Sequence, residues 1–202
     1  MKSQLRFDRL SLSLMVALVL LASNAAAQAR EGQSMLLDDF SRSDGQALIG
    51  THWEGFTDRV MGGRSDMEAR VVSTEDGPAI RMTGRVTTEN NGGFIQVRLP
   101  LSDDGHFDAS AYRGVALSVR GSDDNYYVHL RTSRTRFPWA HYARKLPVTE
   151  QWQRVELPFE EFEGQLMLGG RRVDTDRLHS IAVVAAKADF QADIWVREVS
   201  LY

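Results

Sequence analysis

The sequence predicts an all-β protein, built as an antiparallel sandwich or barrel. Three observations support this fold class. Short runs of alternating apolar and polar side chains recur along the chain, clusters of turn-forming residues separate them, and long helical periodicity is hard to find. A chain of 202 residues with 43% hydrophobic residues is typical of one globular domain. We place that domain at residues 34–202.

Alternation identifies the individual strands. In the segment 93–99, Ile95, Val97 and Leu99 share one face, opposite Phe94, Gln96 and Arg98. The segment 179–186 is apolar on both faces, which indicates a strand buried on both sides. The predicted strands, in chain order, are 35–40, 79–86, 93–99, 114–120, 126–132, 152–159, 179–186 and 193–202.

The phase of the last strand changes near its middle. Apolar residues there slip by one position after Val196, so we expect a β-bulge near Arg197–Glu198. The segments between strands are rich in Gly, Asp and Asn, and Asn91-Gly92 predicts a hairpin turn. The segment 158–164 indicates one helical turn.

The N-terminus has the layout of a secretory signal peptide. A short basic segment precedes an apolar run over residues 10–22, and small residues follow. That run is too short for a transmembrane anchor, which needs about 20 apolar residues. We predict a signal peptide over residues 1–27, cleaved after Ala27 or Ala29, and a periplasmic or secreted mature protein. An uncleaved anchor or a buried helix is the alternative.

Composition excludes several classes of function. Loss of residues 1–27 changes the net charge from −3 to −5, and an acidic protein is poorly suited to nucleic acid. The chain has no cysteine, so disulfides, thiolate catalysis and zinc-thiolate sites are excluded. The five histidines lack metal-binding spacings and G-x-S-x-G is absent. We therefore predict no metal and no cofactor.

Two glycine-centred segments, "TDRVMGGRSD" at 57–66 and "TENNGGF" at 88–94, raise the question of a phosphate-binding loop. Neither has the lysine and spacing of a P-loop. A structural corner is favoured, in which Asp58 and Ser65 accept hydrogen bonds from turn amides. We expect Gly63 to have a positive φ, so that Gly63→Val is badly strained and Gly63→Ala does less damage.

A polar face is the candidate binding surface. Arg98, His129 and Arg131 each lie opposite an apolar set on a predicted strand, and aromatic residues, including His141 and Tyr142, follow nearby. Arginine and aromatic side chains suit a sugar or an acidic partner, whereas a solvated outer face is the alternative. The candidate binding residues are Phe94, Gln96, Arg98, Tyr127, His129, Arg131 and Trp139.

The ordered segments "WEGFTDRVMGGRSD", "GRVTTENNGGFIQVRL", "YRGVALSVRG", "YYVHLRT" and "WQRVELPFEEF" resemble the CIA30 family, the complex I intermediate-associated protein 30 domain. The resemblance runs from about Leu36 to Tyr202. It implies a β-sandwich similar to galactose-binding-like jelly rolls. The residues that match the family pattern, with a structural role, are Trp53, Asp58, Gly62, Gly63, Ser65, Gly84, Asn91, Gly92, Gly93 and Phe94.

The resemblance also implies a protein that is not an enzyme, because mitochondrial members are assembly factors for NADH:ubiquinone oxidoreductase. An exported chain would be separated by a membrane from the catalytic arm of a bacterial complex I. A non-enzymatic module that binds a partner protein or a glycan is therefore the leading interpretation. A carbohydrate-active enzyme or carbohydrate-binding domain, and an assembly factor for a respiratory complex, are the alternatives.

Overall fold

A computed structural model describes residues 33–122, 124–137, 139–165 and 168–202. The predicted signal peptide and both candidate cleavage positions lie outside these residues. One compact unit runs from Ser34 to Tyr202, and its described part contains twelve β-strands and no α-helix. The strands are β1 (Met35–Asp38), β2 (Glu54–Thr57), β3 (Glu68–Thr74), β4 (Gly77–Val86), β5 (Phe94–Pro100), β6 (Gly114–Gly121), β7 (Tyr126–Thr132), β8 (Tyr142–Lys145), β9 (Gln153–Pro158), β10 (Glu163–Gly164), β11 (Leu178–Ala186) and β12 (Phe190–Leu201).

The strands form two antiparallel sheets of six strands each, as an all-β sandwich requires. The front sheet has the order β10-β8-β7-β11-β5-β2. The back sheet has the order β3-β4-β12-β6-β9, and β1 also pairs with β12. Neighbours in each sheet are mostly distant in the chain, so most strand pairing is nonlocal.

The core is formed by the inward-facing side chains of both sheets, in the alternation that the sequence predicts. Ile95 and Val97 of β5 are fully or almost fully buried, as are Leu117 and Val119 of β6. These residues belong to one continuous apolar cluster with the inward residues of the other long strands. Burial of this area is the main source of stability, at roughly 25 cal/mol per Å² of apolar surface.

Two specific predictions about the strands are confirmed. β12 shifts register between Val196 and Glu198 where it pairs with β6, at the position of the predicted bulge. β11 is the central strand of the front sheet, and its side chains from Ser180 to Ala186 are all buried.

The Asn91-Gly92 hairpin prediction is wrong. β4 belongs to the back sheet and β5 to the front sheet, so the segment between them carries the chain from one sheet to the other. Asn90 and Asn91 both have a positive φ, 56° and 57°, which resembles a tight hairpin turn locally. The hairpin that joins β3 to β4 turns instead at residues 75–76.

The prediction missed four short or edge strands, β2, β3, β8 and β10. The helical turn expected in 158–164 is a single 3-10 turn, Phe159–Glu161.

The two glycine segments meet at the buried carboxylate of Asp58. Its oxygens accept hydrogen bonds from the backbone N–H and hydroxyl of Ser65, at 2.9 and 2.5 Å, and from the N–H groups of Gly93 and Phe94, at 2.6 and 3.4 Å. Burial by itself would raise the pKa of Asp58, but these donors outweigh it and lower the pKa. The segments therefore form a structural corner around one carboxylate.

Two of these glycines allow close packing, and the other two, Gly62 and Gly93, have a positive φ. A Cβ atom on Gly63 would collide with the Cγ of Asp58, and one on Gly92 with its Oδ2. The expectation of a positive φ at Gly63 is wrong; Gly62 has that conformation, at 90°, with open space around it. Alanine at position 63 already meets this collision, so even the smallest side chain is expected to displace the Asp58 carboxylate.

Two further residues of the family pattern, Trp53 and Gly84, make structural contacts. The indole N–H of Trp53 donates to the Oδ2 of buried Asp38 at 2.7 Å, and its ring packs on Phe40. A Cβ atom on Gly84 would collide with the carbonyl oxygen of Asp66, so this glycine allows the chain before β3 to approach β4.

Candidate functional site

The front face, the side of the front sheet that points away from the core, carries the candidate binding residues. β5 and β7 lie on either side of β11. Six of the seven candidates project from β5 and β7 onto this face and are only partly buried. They are Phe94, Gln96, Arg98, Tyr127, His129 and Arg131.

Strand register aligns these side chains in rows across the sheet. In one row Arg98 and His129 lie opposite each other across Ala182 of β11, and Glu54 and Ala143 extend the row at either end. The neighbouring row consists of Phe56, Gln96, Val184, Tyr127 and Lys145. One face thus presents charged, amide, imidazole and aromatic groups together.

The floor between β5 and β7 is made of small side chains. Ser180, Ala182, Val184 and Ala186 project from β11 on this side and are buried by larger neighbours. Phe94 and Tyr127 pack against this strand to form a small apolar cluster outside the main core. Over Ser180 and Ala182 the larger side chains of β5 and β7 enclose a depression, which we call the trough, whereas Phe94 and Tyr127 cover the strand near Val184 and Ala186.

Arg98 is held in place by an edge-strand carboxylate. Its Nε and Nη2 donate to the Oε2 of Glu54 at 3.1 and 2.5 Å, and its guanidinium lies 4.5 Å from the ring centroid of Phe56.

Arg131 is fixed by neutral groups. Its Nη2 donates to the carbonyls of Thr135 and Phe137 at 2.7 and 3.1 Å, and its Nε lies 3.4 Å from the Thr135 hydroxyl. Burial, and then repulsion by Arg98, lower the pKa of Arg131. Arg131 therefore also supports the loop that follows β7.

Two histidines stack on the same face. The rings of His129 and His141 are 3.8 Å apart and nearly parallel, with 15° between their planes. Burial, and then the proximity of His141 and Lys187, lower the pKa of His129 well below its usual value. Its Nε2 is buried without a hydrogen-bond partner among the described residues. Burial also lowers the pKa of His141.

Trp139 lies beside the face rather than on a strand. Its side chain is 51% exposed and stacks on Phe137, with 5.3 Å between ring centroids. The ring Nδ1 of His141 donates to the Trp139 carbonyl at 2.9 Å, which links this loop to the histidine stack. Tyr142, in contrast, is fully buried in the core and is not part of the face.

Tyr127 is flanked by two cations. The Nζ atoms of Lys187 and Lys145 lie 4.5 and 5.3 Å from the centroid of its ring. Such contacts hold an aromatic ring in a fixed orientation and add positive charge to this end of the face.

Two pockets lie at the end of the face where Arg98 and Arg131 project. A small one, about 40 Å³, lies between Arg98, His129 and His141. A larger open one, about 310 Å³, lies beside it and reaches His179. Its lining residues are Glu54, Arg98, Pro100, Ser102, Asp103, Gly105, Arg131, His179 and Ser180.

In the described part of the chain, no group of three or more His, Asp or Glu side chains is arranged to hold a metal ion. Nor does any helix within those ranges have the length and apolar character needed to cross a bilayer.

The sequence did not identify several residues of the face. Glu54 and Phe56 come from a four-residue strand that contains a glycine, too short for alternation to detect. His179 and Ser180 lie in a segment that was interpreted as buried on both sides, and nothing in the sequence distinguishes them as pocket-lining residues.

Solved structures with a similar fold include carbohydrate-binding modules from Clostridium thermocellum. The family 11 module of the cellulosomal cellulase Lic26A-Cel5E matches with a TM-score of 0.64 and 18% identity, over 84% of this chain and 94% of the module. The same family's module in complex with a β-1,3-1,4-mixed-linked tetrasaccharide matches with a TM-score of 0.62 and 17% identity, over 83% and 94%. The family 30 module of the cellulase Cel9D-Cel44B has a TM-score of 0.60 and 14% identity, over 84% and 97%.

These similarities establish the fold as a galactose-binding-like β-sandwich. No protein of curated function matches the sequence significantly. The family model described as complex I intermediate-associated protein 30 (CIA30) matches residues 39–193, which is most of the chain and includes the glycine corner and the front face. The chain therefore belongs to the CIA30 family.

Proposed function

We propose that this chain is an exported, non-catalytic module that binds a glycan on its front face. The observation that carries the proposal is the row in which Glu54, Arg98 and His129 are aligned across the small floor residue Ala182. Hydrogen-bonding groups of this kind, spaced across a trough beside aromatic rings, suit an extended chain of hydroxyl-bearing rings.

The chemistry of the side chains supports a sugar ligand. Gln96 supplies an amide that can both donate and accept, and the arginines donate in fixed directions. Phe56, Phe94 and Tyr127 present apolar ring faces or edges at the margin of these polar groups. Sugars offer the complementary pattern, because each ring has hydroxyl edges and apolar C–H faces.

The contacts of the nearby carboxylates favour non-catalytic binding over hydrolysis. A glycosidase needs one free acid and one free base or nucleophile on either side of the bond. Glu54 is already bound by two nitrogens of Arg98. The only other carboxylate that lines the larger pocket, as the structure describes it, is the exposed Asp103.

A protein partner is the second candidate. Val60 and Met61, at the tip of the glycine corner, are 71% and 52% exposed and form an apolar patch away from the strands. Exposed apolar side chains next to each other are common in protein interfaces. The name of the family, which refers to a complex I intermediate, also favours a protein partner.

A glycan array followed by calorimetric titration tests the proposal. We expect the mature protein to bind at least one oligosaccharide, and Gln96→Ala and Tyr127→Ala to weaken binding by about threefold to tenfold. Arg70→Ala is the control. Arg70 is exposed and lies on β3, the edge strand of the back sheet, away from the front face.

Three results would contradict the proposal of non-catalytic glycan binding at this face. They are an array without any bound glycan, binding that neither front-face variant weakens, and release of reducing sugar, which would indicate an enzyme. A partner protein recovered by co-purification, and lost in a Val60→Asp variant, would support the second candidate.

A further inference from the structure

The larger pocket at the end of the trough has the size of a site for a single sugar unit. Its volume of about 310 Å³ is at the lower limit of ligand pockets. It lies between the front-sheet strands and the residues that follow β5, so it is continuous with the row formed by Arg98 and His129. One ring of a longer oligosaccharide could occupy it while the others follow the trough.

Arg131 brings to this pocket a positive charge that is not neutralised. All of its hydrogen bonds go to neutral oxygens of Thr135 and Phe137. Across the described ranges, no carboxylate forms an ion pair with it. A partly buried guanidinium without an anion is unfavourable, and Arg98 nearby adds repulsion that also lowers the pKa of Arg131. An anion that entered the pocket would relieve both costs.

Other donors in the pocket remain available. Glu54 engages only the Nε and Nη2 of Arg98, so Nη1 of Arg98 has no partner among the described residues. His179 also lines this pocket, and its buried Nε2 has no hydrogen-bond partner among the described residues, so in the Nε2-protonated tautomer it can serve as a further donor. Glu54 itself is 43% exposed on its side chain and lies at the edge of the sheet, where a bound anion could compete with it for Arg98.

We propose that the glycan bound by the front face carries a carboxylate, as a uronic acid does, and that its charged ring occupies the larger pocket against Arg131 and Arg98. This inference rests on the proposed function. A carboxylate is favoured over a sulfate because its two coplanar oxygens match the planar fork of a guanidinium. The matching glycan therefore carries a carboxylate on the ring that occupies the pocket.

The test compares uronic acid oligomers with their methyl esters, which keep the ring and remove the charge. The probes are oligomers of galacturonic, glucuronic, mannuronic and guluronic acid, each beside its ester and beside a sulfated neutral oligomer. We expect at least one acid to bind about tenfold or more tightly than its ester, since a charge-assisted hydrogen bond contributes about 1.5–3 kcal/mol.

Variants of the pocket residues test whether the difference in affinity between acid and ester arises in the larger pocket. Arg98→Gln and Arg131→Gln should remove the preference for the acid, whereas Arg70→Gln should keep it. Glu54→Gln should tighten binding of the acid about threefold, because it removes a competing carboxylate. If Arg131→Gln melts far below the wild type, its binding data cannot be interpreted. Tighter binding of the acid by Glu54→Gln and weaker binding by Arg98→Gln then test the carboxylate site.

The outcomes separate the two proposals. Equal binding of acids and esters would overturn the carboxylate site and leave glycan binding intact. Binding of sulfated oligomers alone would overturn the assignment to a carboxylate. Failure of every acidic and neutral oligomer to bind would overturn the proposed function and this inference together.

Discussion

The carboxylate of Asp58 accepts a 2.6 Å hydrogen bond from the backbone N–H of Gly93, which lies 35 residues later in the chain. This bond joins the two glycine-centred segments at the point where β5 begins. Because β5 carries Phe94, Gln96 and Arg98, the corner sets where one wall of the trough starts. Structure and proposed function are thus connected through one buried acidic residue.

Gly63→Ala should destabilise the protein more than Gly62→Ala. A methyl group at position 63 displaces the Asp58 carboxylate from its donors, and we expect a loss of about 3 kcal/mol. At position 62 the cost is only that of a positive φ in open space, about 1 kcal/mol. Thermal melts check this, with expected decreases in Tm of roughly 6–12 °C and 2–4 °C. Equal melting temperatures for the two variants would contradict the tight packing at Gly63.

Asp58→Asn should reduce the amount of folding stability that is lost as the pH falls into the acid range. The folded-state pKa of Asp58 lies below its ordinary value of 3.8, so the folded state binds the proton less readily than the unfolded state. The Asp58 carboxylate therefore contributes fully to folding stability above pH 3.8. That contribution is lost as the pH falls through the folded-state pKa. Denaturant unfolding from pH 6 to pH 2 measures this. A difference between wild type and Asp58→Asn that does not shrink toward pH 2 would contradict it.

His129→Phe should reduce the loss of stability between pH 7.5 and pH 5.5. Burial, with His141 and Lys187 nearby, keeps the folded-state pKa of His129 well below 6.5, so the unfolded state takes up the proton first. The folded state therefore loses stability as the pH falls below 6.5. Phenylalanine keeps a ring against His141 and removes the proton site. Unfolding curves at the two pH values test this, and the same decrease in both proteins would contradict it.

Export should produce a mature chain that begins at Gln28 or Arg30. The basic, apolar and small-residue segments of the N-terminus motivate this expectation. N-terminal sequencing of the protein from a periplasmic or secreted fraction measures the cleavage position. Leu18→Arg, which places a charge in the apolar run, should keep the protein inside the cell with Met1 or Lys2 at its start. A wild-type protein that retains residues 1–27 in the cytoplasm would refute export.

Strong local patterns made much of the fold predictable. In eight segments of about seven residues, apolar and polar side chains alternate or all side chains are apolar. Period-two geometry correctly places Ile95 and Val97 inside, and Gln96 and Arg98 outside. The slip after Val196 likewise locates a bulge without any knowledge of the partner strand. Patterns of this kind depend only on neighbouring residues, so a single sequence is sufficient to detect them.

Nonlocal relationships were not predictable from the sequence. β2 has four residues, and its importance comes from pairing that sets Glu54 beside Arg98, 44 positions later. Glycine is needed at position 63 because Asp58 lies close to it in space. The sequence does not show that contact, so a positive φ was expected instead. Arg131 similarly acquires its role from a loop that folds back onto its side chain.

The central claim is that the front face binds a glycan. Its most direct test is amide and side-chain chemical-shift mapping of the mature, isotope-labelled protein, titrated with the oligosaccharide that binds most tightly on the array. We predict the largest shifts at Gln96, Arg98, His129 and Arg131, with little change at Arg70 on the back sheet. Shifts confined to the back sheet or to Val60 and Met61, or no shifts at a saturating concentration, would contradict the account.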